Sequence, residues 1–249
     1  MIHVSHLTKR YRDLTAVDDF SFDVQPGEIV GLIGPNGAGK TSTLRCIVGI
    51  QRPTGGTITI GGHDIVSEPV EAKRRLAFMA DEPQLFEYLT VSEHLHLTAR
   101  IYDVKDGESK AAALLEELEL TAKKNALPGE LSRGMKQKVA IACGLLHDPP
   151  ALLFDEPLTG LDPLGIRRMR DTIVERGRRG GAVIVSSHML HLVQEICSRV
   201  VIIDRGRKVA DGTIAELATQ ARAGSNLEQI FLQVTAREDA APASGTDPT

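Results

Sequence analysis

The chain reads as an α/β protein: a mainly parallel sheet covered on both faces, an antiparallel β portion near its start, and a helical segment inserted between two parts of the core. Three observations predict this. Apolar runs of strand length at 151–154, 182–185 and 199–204 alternate with stretches of helical spacing, and strands separated by helices build parallel sheets buried on both sides. Before residue 65, turn-forming glycines and a proline separate short strands in the manner of a meander. Between about 85 and 147 the helical period dominates.

In chain order, Ile2, Val4 and Leu7 mark one strand, and Phe20, Phe22 and Val24, each separated by a polar neighbour, mark the next. Pro26 and Gly27 make a turn. Residues 28–33 form a strand that enters a glycine-rich loop and then an apolar helix over 41–49. Gly55-Gly56 and Gly61-Gly62 bracket a short strand at 57–60. From about 91 to 120 the signal is helical, with Ala111, Leu114, Leu115 and Leu118 on one face. Ser132 stands where a helix cap belongs, ahead of apolar Met135, Val139, Ala142 and Leu146. A strand at 151–154, a helix at 163–178, a strand at 182–185, a helix at 190–196 and a strand at 199–204 complete the core. Beyond about 218 the pattern fades, and 236–249, rich in Ala, Pro, Ser, Thr and Asp, reads as disordered. The expected division is one domain over 1–218, with a helical subdomain at about 85–147 inserted, and a C-terminal extension over 219–249.

Composition narrows the function classes. With 42% hydrophobic and 25% charged residues, the 249-residue chain can bury a substantial core. A net charge of −4 gives no expectation of nucleic-acid binding. Cys46, Cys143 and Cys197 lie far apart without metal-ligand spacing and read as buried apolar side chains in a reducing compartment. No apolar run approaches the ~20 residues of a membrane-spanning helix, and the opening residues lack the apolar core of a secretion signal. A cytoplasmic chain is expected, with any membrane role supplied by a partner.

Three constellations carry chemistry. Gly34, Pro35, Asn36, Gly37, Ala38, Gly39, Lys40 and Thr41 satisfy the G-x-x-x-x-G-K-[ST] pattern between a strand and a helix. Glycines let the backbone curl so that its N–H groups face phosphate oxygens, and the helix start adds its positive end. Lys40 is then expected at the β- and γ-phosphates and the Thr41 hydroxyl on Mg²⁺, with Ser42 next in the nucleotide-binding set. This makes the expected core that of a P-loop NTPase. Residues 151–156 form an apolar strand ending in Asp155 and Glu156. Successive strand residues point to opposite sides, so the two acids suit different tasks: Asp155 the Mg²⁺ shell, Glu156 the attacking water. A second buried strand ends in Ser186, Ser187 and His188. At the carboxyl end of a parallel strand that imidazole is placed to meet the γ-phosphate; the other seven histidines, His94 and His96 among them, read as surface or core residues.

The third constellation, Leu131-Ser132-Arg133-Gly134-Met135-Lys136-Gln137, precedes the acids and starts a helix. Alone it is a capped amphipathic helix. In this order with the other two it resembles the signature motif of the ABC ATPases, usually written LSGGQ, with Arg at the third position and Met at the fifth. The resemblance covers about residues 1–215. It implies that Tyr11 stacks on adenine and that Leu158, Thr159, Gly160, Leu161 and Asp162 form the loop that communicates across a dimer. It further implies that two copies (or one copy and a homologous ATPase subunit) pair head to tail around two ATP molecules. Each ATP would meet Lys40, Thr41, Asp155, Glu156 and His188 of one chain and Ser132 and Gly134 of the other. One position departs: the slot for a glutamine that senses Mg²⁺ and the γ-phosphate holds Asp81, which could contact the metal or its water but adds negative charge. The variant signature and the segment 227–231 look most like bacterial exporter ATPases of the drug and polysaccharide type. The implied partners are integral membrane permease subunits, and the implied location is the cytoplasmic face of the cell membrane. Two alternatives stay open at this point: a soluble ABC ATPase acting on a ribosome, DNA or protein assembly, and a weakly catalytic regulatory subunit.

Overall fold

The computed structural model of the chain describes residues 1–159, 161–220 and 226–239. A hairpin of β1 (Ile2–Tyr11) and β2 (Leu14–Val24) leads to β3 (Ile29–Ile33), α1 (Lys40–Ile47), β4 (Gly55–Ile60), β5 (His63–Asp64), α2 (Pro69–Arg74) and β6 (Leu76–Met79). Three helices follow: α3 (Val91–Ile101), α4 (Gly107–Glu117) and α5 (Arg133–Leu146). Then come β7 (Ala151–Asp155), α6 (Pro163–Arg178), β8 (Ala182–Ser186), α7 (Leu190–Ile196), β9 (Arg199–Asp204), β10 (Arg207–Gly212), α8 (Ile214–Gln220) and α9 (Leu227–Asp239).

The strands form a four-stranded antiparallel sheet, β2-β1-β4-β5, and a six-stranded sheet, β10-β9-β3-β8-β7-β6. The larger sheet is parallel from β9 to β6, and β10 closes one edge antiparallel. Every residue of β3, β7 and β8 is buried, which is why these strands are continuous apolar runs. Their side chains divide by the two-residue period. Ile33, Leu152, Phe154, Val183 and Val185 join a core with helices α3 to α7. Val30, Leu32, Leu153 and Ile184 join the core made with α1 and the antiparallel sheet.

Sequence spacing and structure differ in instructive places. β1 and β2 are longer than the clean alternation indicates, because their pairing shifts register between Val4 and Leu7, Leu7 and Lys9, and Lys9 and Arg10. Each shift breaks the alternation that marks a strand. The helical stretch over 91–120 is two helices, interrupted where Asp103 and Asp106 adopt φ of 52° and 55°. α3 opens on a reciprocal cap: Glu93 N donates to Thr90 Oγ1, and Thr90 N donates to the Glu93 carboxylate. The C-terminal extension contains α9, whose Leu227 and Ile230 are buried in the same core as α7. Of the stretch expected to be disordered, 236–239 instead belong to α9, while 240–249 lie outside the described residues, as do Gly160 and 221–225.

This topology matters for chemistry because it aligns strand ends. Met79 pairs with Phe154, Asp155 with Ser186, and Leu32 with Ser186. The loops after β3, β6, β7 and β8 therefore open along one edge of the sheet.

Candidate functional site

The loop after β3 turns through Gly37 and Gly39, with φ of 81° and 110°, a region open to glycine and strained for other residues. A Cβ at Gly39 would also lie 2.5 Å from the Ala16 carbonyl oxygen. α1 starts at Lys40 with no capping side chain and no acid in its first turn. Its first N–H groups have no intrahelical partner, and the helix end is positive. Lys40 is buried, its Nζ donating to the carbonyls of Gly34 at 2.7 Å and Pro35 at 3.0 Å. Burial pulls the Lys40 pKa down, while Glu156 and Asp155 pull it back up. Two of its three ammonium donors are used by the loop itself.

Asp155 ends β7 in a buried position. Burial pushes its carboxyl pKa up; the neighbouring Ser186 and Thr41 hydroxyls draw it down, and the charges of Glu156 and Asp81 raise it further. Glu156 leaves the strand with φ of 50°, uncommon for a residue with a side chain. Its backbone N–H donates to the Ser186 carbonyl at 3.0 Å, continuing the ladder to β8 by one bond. That turn aims its carboxylate at His188, whose Nδ1 lies 2.8 Å away. A left-handed residue whose carboxylate meets a histidine is strain of the sort found at functional sites.

These parts line one cleft of about 390 Å³, bounded by Tyr11, residues 36–42, Asp155 and Glu156. Gly34 and Pro35 contribute through their carbonyls on Lys40. The Tyr11 hydroxyl contacts Ser42 Oγ at 3.4 Å and bonds Gln51 Oε1, and Lys9 Nζ lies 4.9 Å from the ring centroid. His188 joins the group through Glu156. Ser132, Gly134, Asp162 and Asp81 do not line the cleft. Ser132 caps α5, its Oγ accepting from Met135 N at 3.3 Å. Asp162 caps α6, Oδ1 accepting from Gly165 N at 2.7 Å. The Asp81 carboxylate accepts from Arg133 at 2.9 Å.

Sequence spacing does not reveal Gln137, which is buried and whose Nε2 donates to the Pro157 carbonyl at 3.2 Å. His94 has the structural part expected of it: Nε2 accepts from Phe86 N at 2.9 Å, so the proton sits on Nδ1, facing the Thr90 carbonyl at 2.8 Å.

Fold and cleft together define a nucleoside triphosphatase of the P-loop class. The family model described as ABC transporter matches residues 17–159. The ABC-type transporter ATP-binding protein EcsA of Bacillus subtilis is 35% identical over 243 residues, 96% of this chain and 98% of that protein. The Nod factor export ATP-binding protein I of Burkholderia pseudomallei is 36% identical over 232 residues, 92% of this chain and 76% of that protein. A solved ATP-binding subunit of an ABC transporter superposes with a TM-score of 0.90 at 35% identity, covering 94% of this chain and 99% of its own. The chain belongs to the ABC transporter family, as an ATP-binding subunit and ATPase. Among the described residues, no helix is long and apolar enough to cross a membrane.

Proposed function

We propose that two copies of this chain close head to tail on two ATP molecules, and that this closure drives export through separate permease subunits at the cytoplasmic face of the membrane. The observation that carries the reading is a division of labour. Lys40, Asp155 and Glu156 line one cleft, with His188 held against it by the Glu156 carboxylate, while the Ser132–Gly134 cap does not line that cleft within its own chain. A second copy can supply the missing cap. In the closed pair the γ-phosphate would join the halves, and its cleavage would release them.

Within one chain, Lys40 exchanges loop carbonyls for phosphate oxygens, and the α1 N–H groups take the remaining phosphate charge. Glu156 accepts the proton of the attacking water, and His188, already on that carboxylate, orients the γ-phosphate side. The residues also fit Mg²⁺. A buried carboxylate beside a hydroxyl suits a hard cation that otherwise keeps water and phosphate ligands, and Thr41 and Asp155 would hold it. When bound, the ion neutralises charge developing on the phosphates. Tyr11, at the cleft mouth, is left to stack on the base.

A groove of about 530 Å³ near α3 and α5, lined by Phe86, Leu97, Ile101, Tyr102 and His147 among others, supports docking of a short cytoplasmic helix of the permease. Phe86 and Tyr88 are exposed beside it. Relatives named for Nod factor export and linearmycin resistance favour export as the direction. The test is Glu156→Gln. It is expected to bind ATP, stall hydrolysis and accumulate a dimer on sizing columns; wild-type turnover would remove Glu156 from the role of base.

A further inference from the structure

We infer that Asp81 and Arg133 are positioning residues, an intrachain latch that ties the loop after β6 to the head of α5 and fixes how the Ser132–Gly134 cap is presented. The ion pair closes at 2.9 Å between residues 52 apart in sequence. Asp81 lies two residues beyond the end of β6, whose Met79 pairs with Phe154, so this loop leaves the sheet beside Asp155. Arg133 is the first residue of α5, adjacent to the Ser132 cap. The pair therefore links the phosphate edge of one chain to the surface that chain would offer its partner.

A second contact on the same helix adds to the link. Arg133 and Gln137 are four residues apart on α5 and share a helix face. Arg133 reaches Asp81, and buried Gln137 reaches the Pro157 carbonyl, one residue past Glu156. Helix α5 thus grips two of the loops that leave the sheet at the cleft edge, one by charge and one by an amide. The amide grip is buried. The charge grip is about half exposed at both ends, and pairs of that kind bias an equilibrium by only about fivefold or less. Such a contact is too weak to matter for global stability and weak enough to yield when the charge at the cleft changes.

The functional consequence rests on the pairing proposed above, but the latch itself can be tested without it. Three variants serve: Asp81→Arg, Arg133→Asp and the swapped double. In the nucleotide-free chain, millisecond-pulsed hydrogen exchange over 131–140 is expected to quicken about two- to fivefold in each single variant. The swap should return it to the parent rate. The same three changes in the Glu156→Gln chain should raise the ATP concentration for half-maximal dimerisation by a similar factor, again with recovery in the swap. Unchanged exchange in both singles, or a swap as perturbed as their product, overturns the latch whatever the dimer does. Recovered exchange with dimerisation still lost in the swap overturns positioning as the role of Asp81 and assigns its carboxylate to the metal or phosphate instead.

Discussion

Lys40 and Asp155 are buried at the phosphate edge and Glu156 is largely so, whereas Ser132 and Arg133 at the head of α5 are exposed. The first region concentrates charge where charge is expensive. A buried ammonium rests on its own loop's carbonyls, and burial pushes the pKa of the Asp155 carboxyl up, so ionisation at this edge carries a desolvation cost. The second region has satisfied its own needs with a hydroxyl cap and a surface ion pair. The difference teaches which region gains from a ligand and which one merely completes it. The phosphate edge is where a nucleotide's phosphates can offset buried charge, and the α5 head keeps its polar groups paired within the chain.

The largest effect should come from breaking the chemistry of the first region. Replacing Glu156 with Gln is expected to lower turnover by about 10²- to 10⁴-fold in a phosphate-release assay, with ATP affinity retained. Lys40→Ala should weaken ATP binding by about 10²-fold or more in calorimetry, because one preorganised cationic donor is lost. Retained tight binding would mean that the loop's N–H groups suffice.

The Asp155 prediction sharpens the comparison by its sign. Its folded-state pKa is raised, so its contribution to stability is fully present below the unfolded value and is lost as pH rises through the folded one. At neutral pH the ionised group is a cost, and Asp155→Asn should stabilise the nucleotide-free chain by about 1 kcal/mol in urea unfolding. The advantage should shrink as pH falls below the carboxylate range. The same variant should lose Mg²⁺-dependent nucleotide binding. At the α5 head, Ser132→Ala should cost about 1 kcal/mol through the lost cap, without changing nucleotide affinity of the separate chain.

The same contrast explains what the sequence makes legible. β3, β7 and β8 are buried on both faces, so their apolar runs, the loop after β3 with Lys40, and the residues at or just past the ends of β7 and β8, Asp155, Glu156 and His188, can be read directly. Long-range polar contacts leave no such trace. Nothing in local spacing joins Asp81 to Arg133, or Gln137 to Pro157. β1 and β2 are obscured by their register shifts. In α9, Leu227, Ile230, Phe231 and Val234 do follow helical spacing, but small and polar flanking residues mask the run. Asp162 shows the opposite limit: the family pattern assigns it to a dimer loop, while its visible work is to cap α6.

The most direct trial is sedimentation velocity on Glu156→Gln with ATP and Mg²⁺, with and without a second change, Gly134→Asp. Because that glycine should face the other chain's nucleotide, the added carboxylate is expected to leave a monomer that still binds ATP. A dimer that forms equally well with the carboxylate present would contradict the shared pocket.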